Sequence, residues 1–277
     1  MKSLVIGSGL LGSAIASEVV RHKGKKSLIT TTRDHNKNKK NCIYLDLFDV
    51  NSWIVPDDVK VAYFCAGVSK IDECSDFHNK SRLINVVNTL TVINKLVEKK
   101  VFLVFLSSNG VFDGIKPFCR ISDSTNPLSY YAKLKAEVEE KMSMFKSPYS
   151  IVRLTKVLDS RLDLMTSWVS DLKERKKIVA FNDVTISPIS SNYAGKYIFN
   201  IGNGYNHGIF HLSGQGNYTY YDIALMIAKR LGVSSAYVRG MQCNYNLPRY
   251  ASLDMSENTC DFPCYPQKIE CMIDEIF

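Results

Sequence analysis

The stretch LVIGSGLLGSAIA, residues 4–16, sets three glycines between an apolar run and a helical pattern. Gly7, Gly9 and Gly12 stand directly after what reads as a strand and at the opening of a helix. A dinucleotide-binding turn needs one glycine for the tight bend, one for close backbone approach to a pyrophosphate, and one for close helix–strand packing. The helix N-terminus, with Leu10 and Leu11 in its first turn, offers free N–H groups and partial positive charge to the phosphates. Lys2, the apolar run and the small residues at 14–17 also mimic a signal peptide. The glycines and a helical pattern continuing through Glu18 and Arg21 fit a strand, turn and helix better. A cytoplasmic protein with no leader is the expectation.

Working outward, short β-rich runs alternate with helical patterns through the first half. Strands are expected at 3–7, 26–32, 42–47, 59–67, 101–108 and 149–155, and helices at about 10–22, 79–99 and 128–146. The strand runs are near-continuous rather than alternating in hydrophobicity, as burial on both faces demands. The chain therefore predicts an α/β fold, a doubly wound parallel sheet of Rossmann type. After residue 157 the pattern loosens: a helix at 159–176, a strand at 177–181, a helix near 191–201 and a strand at 208–214. A last helix opens at Thr219–Asp222, spaced as a capping box, and runs to Leu231. The C-terminal stretch reads as irregular. We expect residues 1–157 to form the dinucleotide-binding domain and 158–277 a smaller substrate-binding lobe, with about 184–203 packing back on the first.

Composition narrows the class. The 277 residues are 45% hydrophobic and 22% charged, ordinary for a globular protein. No apolar run approaches the roughly 18 residues of a membrane span, so no membrane partner is expected. The net charge of +8 draws on basic runs at 21–26 and 35–40. It suits anionic ligands such as nucleotides; no nucleic-acid-binding signature accompanies it. Eight cysteines are too sparse for a disulfide scaffold. Cys260, Cys264 and Cys271 lack the fourth ligand and paired short spacings of a zinc site, so no metal is expected.

The end of the second strand decides the cofactor. An acid there would hold the ribose 2′-OH of NAD and repel a 2′-phosphate. Thr32 and Arg33 stand there instead, with no carboxylate before Asp34. Both can bind a 2′-phosphate, so NADP(H) is the expected cofactor. Asp46 and Leu47, after the third strand, fall where adenine would lie. Cys65, Ala66 and Gly67 end the fourth strand at the sheet's carboxyl edge, where ligands collect.

A second stretch, NPLSYYAKLKAE at 126–137, sets two tyrosines beside two lysines. Residues four apart share a helix face, so Tyr131 pairs with Lys135, whereas Tyr130 has Leu134 at that spacing. Reduction of a ketone builds negative charge on oxygen, and a donor must stabilise it and then deliver a proton. Free tyrosine, pKa about 10, is a poor donor at neutral pH. A lysine ammonium one turn away is expected to lower that pKa and to grip the nicotinamide ribose.

The glycine turn, LSSNGVFDG at 106–114 and the Tyr131/Lys135 pair follow one another in an order that resembles the extended short-chain dehydrogenase/reductases. More closely, the chain is similar to the dTDP-4-dehydrorhamnose reductase group of sugar-nucleotide ketoreductases. That group carries Ser-Thr-Asp-Tyr-Val-Phe-Asp-Gly, and residues 107–114 match six of the eight positions with Ser counted for Thr. YYAKLKAE (130–137), NVVNT (85–89), IVRLTKVL (151–158) and PRYASLD (248–254) are similar to further segments. The resemblance implies Ser108 as the hydroxyl on the substrate carbonyl, Tyr131 as proton donor, Lys135 as its partner, and Asn85 beside the cofactor. Asn109 and Gly110 replace the Asp and Tyr of the group, a Tyr that helps position substrate in the family. Some members use Mg2+; no ligand set for it is evident. Ser108, Asn109, Lys156 and Arg249 are the expected substrate contacts, the last two as anion-binding residues.

The implied activity is NADPH-dependent reduction of the 4-keto group of a nucleotide-activated deoxyhexose, for a surface polysaccharide. Two alternatives stay open. One is an NAD-dependent epimerase or dehydratase of the same superfamily; the other is a non-catalytic NADP-binding regulatory subunit. The expected partner is a nucleotide sugar, with a homodimer left open.

Overall fold

Apolar runs with no polar alternation become the inner strands of one sheet, covered by helices on both faces. A computed structural model describes residues 1–70, 74, 76–243 and 248–277. Six strands come from the first half: β1 (Lys2–Ile6), β2 (Leu28–Thr32), β3 (Cys42–Tyr44), β4 (Val59–Phe64), β5 (Phe102–Ser108) and β6 (Tyr149–Leu154). With the strand Gly208–Leu212 they make a seven-stranded sheet in the order Gly208–Leu212, β6, β5, β4, β1, β2, β3. Every pairing in it is parallel. The order reverses at β1, between β2 and β4, and ligands of such sheets bind in the crevice opened there.

Helix α1 (Leu10–Lys23) follows β1 directly and ends in Arg21, His22 and Lys23, cations suited to the negative end of its dipole. Helix α2 is continuous but not uniform. It runs as His78–Arg82, a π-helical turn Leu83–Asn88, and Thr89–Glu98. Hydrophobic periodicity alone gives no sign of that widened turn. Helix α3 (Tyr130–Met142) starts at Ser129, whose side chain accepts from the Ala132 N–H. Phe64, Phe105, Ile93, Leu96 and Val138 fill the core beneath α2 and α3. On the other face, Val5, Ile15, Tyr63, Val104 and Phe210 pack beneath α1 and the helix Ser191–Asn203.

The second half has a core of its own, built on Met165, Trp168, Ile223, Ile227 and Met272. The capping box at Thr219 and Asp222 forms, and its helix spans Tyr220–Arg230. Three segments differ from the sequence reading. The helix expected from 159 starts at Asp163, because the Asp159 carboxylate takes the Arg161 N–H and guanidinium in a tight turn. The stretch read as irregular contains a strand, Val238–Met241, paired parallel to Ile178–Phe181, and a short helix, Ile269–Asp274. Gly208–Leu212, placed in the lobe by the sequence, is hydrogen-bonded to β6 as an edge of the main sheet. Helix Ser191–Asn203 lies on α1 so closely that a Cβ on Gly195 would fall 2.8 Å from the Ala14 Cβ. Among the described residues, no helix is long and apolar enough to cross a membrane.

Candidate active site

A cleft of about 480 Å³ opens at the switch point of the sheet. Gly7, Gly9, Leu10, Leu11 and Gly12 form its floor. Gly7 has φ of +99°, and a Cβ there would lie 2.8 Å from the Ala66 nitrogen. On Gly12 a Cβ would fall 1.9 Å from the Gly7 carbonyl oxygen. Gly9 has nothing within 4 Å, so the turn is open toward the cleft at that point. Helix α1 begins there with no side-chain cap and no acid in its first turn. Its first N–H groups therefore suit a phosphate. The Gly7 N–H donates to Thr31 Oγ1 at 2.9 Å, fastening the turn to β2.

At one end of the cleft stand Thr32, Arg33, Asp46 and Leu47. The nearest acid in sequence, Asp34, is turned to other work. Its carboxylate accepts from the Asn36 N–H at 3.0 Å and lies 3.5 Å from the Lys37 ammonium. Thr32 Oγ1 accepts from the Asp34 N–H, and Arg33 is exposed at the rim. This constellation can take a phosphate on the ribose; the acid residue lining it, Asp46, accepts from the Phe48 N–H at 2.9 Å.

Cys65, Ala66, Gly67, Tyr131 and Lys135 line the other end. Tyr131 and Lys135 share one face of α3, and Lys135 Nζ lies 5.9 Å from the Tyr131 ring centre. The ammonium donates to the Leu106 carbonyl at 2.8 Å and sits 4.6 Å over the Phe105 ring. Burial draws the Lys135 pKa down to about 8. The expectation that Lys135 lowers the Tyr131 pKa is overturned: burial pushes Tyr131 up to about 12. Desolvation disfavours the phenolate, and the ammonium is engaged with the β5 backbone. Tyr130 points elsewhere; its hydroxyl donates to the His78 carbonyl at 3.3 Å and its ring packs against His78, tilted by 40° with centroids 4.0 Å apart.

Other sequence candidates lie outside the cleft lining. Ser108 Oγ accepts from the Gly110 N–H at 3.1 Å, within its own turn. Asn109 Nδ2 donates to the Ala251 carbonyl at 3.0 Å, docking the tail instead of facing ligand. Gly114, φ +70°, presses on Pro248, and its carbonyl accepts from the Tyr250 N–H. The VFDG segment thus fits against PRYASLD, which explains why both occur in one chain. Asn85 is buried behind the lining, where its side chain takes both the N–H and the C=O of Val68 at 2.8 Å. Lys156 is exposed beside the lining residue Val157, and nearby protein lowers its pKa by desolvation. Arg249 is exposed and stacks on Tyr250 at 5.4 Å.

Sequence reasoning missed Thr31, Val68, Ile84 and Ser107, which also line the cleft. The only signal for Thr31, Val68 and Ser107 is position, at or just after a strand's carboxyl end, whereas Ile84 lies within the π-helical turn of α2. It also missed the ion pair behind α3, where Arg153 Nε and Nη2 bind both oxygens of Glu139 at 2.7–3.2 Å. Among the described residues, no group of three or more His, Cys, Asp or Glu side chains could hold a metal ion. Cys260 and Cys264 meet, Sγ to Sγ at 2.7 Å, and Cys271 is exposed elsewhere on the tail.

The fold has close counterparts. A hypothetical dTDP-4-dehydrorhamnose reductase from Sulfolobus tokodaii superposes with a TM-score of 0.80 at 22% identity, covering 99% of each chain. A dTDP-4-dehydrorhamnose reductase from Bacillus anthracis, in complex with NADP, gives 0.81 at 17% identity, over 100% of this chain and 96% of that one. In sequence, the chain is 24% identical over 260 residues to methionine adenosyltransferase 2 subunit beta of Xenopus tropicalis, covering 86% of this chain and 74% of that protein. The family model for the RmlD substrate binding domain matches residues 1–275. Glycine turn, parallel sheet and tyrosine–lysine helix thus sit within a match spanning nearly the whole sequence, and the chain belongs to the RmlD substrate binding domain family.

Proposed function

We propose that this protein is an NADPH-dependent reductase of the 4-keto group of a nucleotide-activated deoxyhexose. The observation that carries the reading is the placement of Tyr131 and Lys135 at one end of the cleft whose other end is Thr32 and Arg33. The glycine turn fits a dinucleotide pyrophosphate, because the only roomy position in it, Gly9, faces the cleft. When bound, the dinucleotide supplies the hydride. Tyr131, raised to about 12, stays protonated across neutral pH and donates to the carbonyl oxygen as charge builds there. The Lys135 ammonium, one turn along, offsets the phenolate left behind. Lys156 and Arg249 are proposed to meet the substrate's diphosphate from the second half of the chain.

Turnover carries a pH signature from the same geometry. With its pKa drawn down to about 8, Lys135 is an ammonium below that pH and a neutral amine above it. The kcat at saturation should therefore fall as pH rises through about 8, approaching a tenfold loss per unit. A profile flat to pH 10 would remove the charged lysine from the mechanism.

A second reading, an NADP-binding subunit without turnover, draws on two observations. Ser108 is held in its own turn, and a sequence relative bears the name of an enzyme's subunit. Following NADPH absorbance with dTDP-4-dehydrorhamnose separates the readings. Oxidation of NADPH, with reduction of the sugar's 4-keto group to an alcohol, is the expected result. NADPH binding without turnover on any 4-keto deoxyhexose nucleotide would favour the subunit, and NAD retained through purification would favour an epimerase.

A further inference from the structure

Helix α2 spends its polar side chains on loops that border the cleft. Lys95 Nζ donates to the carbonyls of Val50, Asn51 and Trp53 at 2.9, 2.9 and 2.8 Å. An ammonium has three donors, and all three are used here. Asn88 Nδ2, from the last position of the π-helical turn, donates to the carbonyls of Leu47 and Phe48 at 2.8 and 3.2 Å. One helix thus satisfies five carbonyls within residues 47–53, a segment with no strand ladder or helix to satisfy them. That segment continues directly from Asp46 and Leu47, which line the Thr32–Arg33 end of the cleft. Just before it, the Leu45 N–H donates to the Thr32 carbonyl at 2.9 Å.

We propose that Lys95, assisted by Asn88, is a positioning residue for the adenine half of the dinucleotide, acting through the wall it holds at residues 46–53. The inference rests on the dinucleotide reading above and extends it to residues that touch no ligand. Anchoring and positioning are separable in this loop. The side chains of Leu47, Val50 and Trp53 are buried in the main core and keep the segment attached. The five polar bonds fix the path of its backbone, and hence where Asp46 and Leu47 stand. Losing them loosens one wall of the cleft without removing its apolar anchor, and the far end, at Tyr131 and Lys135, has other supports.

The test compares wild type, Lys95→Met, Lys95→Arg and Asn88→Ala. Adenosine 2′,5′-bisphosphate, the adenine half alone, is titrated by calorimetry, and intact NADPH is followed by its nicotinamide fluorescence. Lys95→Met should weaken the bisphosphate about tenfold, as sub-ångström looseness at a binding wall does. Lys95→Arg should recover most of that loss, and Asn88→Ala should show a smaller loss of the same kind. At saturation the nicotinamide emission of bound NADPH should be the same in all four proteins. Bisphosphate affinity in Lys95→Met within about twofold of wild type would overturn the proposal. So would a changed nicotinamide emission, since a general structural role would disturb both ends. If Lys95→Met fails to fold, Asn88→Ala decides by the same criteria. Wild type that binds neither probe would instead sink the dinucleotide reading on which the proposal stands.

Discussion

Tyr131→Phe should lower kcat by about 10³-fold, within the range for removing a positioned general acid, while NADPH binds almost as before. The phenol lines the cleft at its Lys135 end, and the ring that packs beside Lys135 is preserved in phenylalanine. Tyr130→Phe is the internal control. It loses only a long hydrogen bond to the His78 carbonyl and keeps the ring packed against His78, so it should retain most activity. Steady-state rates of the two variants, with NADPH affinity measured beside them, check the assignment. Equal losses would mean that the helix presents its two tyrosines in a different register from the one described.

Cofactor choice should show the next largest effect. Wild type is expected to prefer NADPH over NADH by roughly tenfold to several hundredfold, from one or two charge-assisted hydrogen bonds of about 1.5–3 kcal/mol each. Because Arg33 is exposed, the lower part of that range is the better expectation at physiological salt. Arg33→Ala should shrink the preference mainly by weakening NADPH, with NADH nearly untouched. The reason is local. Thr32 and Arg33 line the cleft, while the Asp34 carboxylate is committed to Asn36 and Lys37 and cannot readily serve a ribose hydroxyl. Titrating both cofactors into both proteins checks it, and equal affinities in wild type would end the NADPH assignment.

Much of this arrangement was legible in the sequence because it is written locally. The glycine turn is a contiguous signal, β2 ends two residues before Asp34, and helix spacing alone separates Tyr131 from Tyr130. The continuous apolar runs likewise predicted a parallel, two-sided sheet. What escaped depends on contacts between distant residues. Asn109 meets Ala251 across 142 positions, so its turn toward the tail has no local sign. The strand Gly208–Leu212 belongs to the main sheet because β6 lies free to pair with it, which its own residues do not announce. The raised Tyr131 pKa follows from how much protein surrounds the phenol, a quantity that spacing to a lysine cannot supply. The π-helical turn in α2, from which Asn85 bonds Val68 across 17 positions, has no local sign either.

The close fit of Ser191–Asn203 on α1 bears on how the protein comes into being. A chain leaving the ribosome has already delivered the glycine turn, both cleft loops and the tyrosine–lysine helix when residue 158 emerges. Yet Tyr63, at the heart of the sheet, donates its hydroxyl to the Phe199 carbonyl at 3.1 Å, and a Cβ on Gly202 would fall 2.5 Å from its ring. Phe210, fully buried, arrives later still with the strand that edges β6. Until residue 212 is out, the face of the nascent sheet under α1 lacks its second helix, and the sheet lacks its last strand. All the groups proposed to contact the dinucleotide are thus synthesised early, but the scaffold that holds them is completed late.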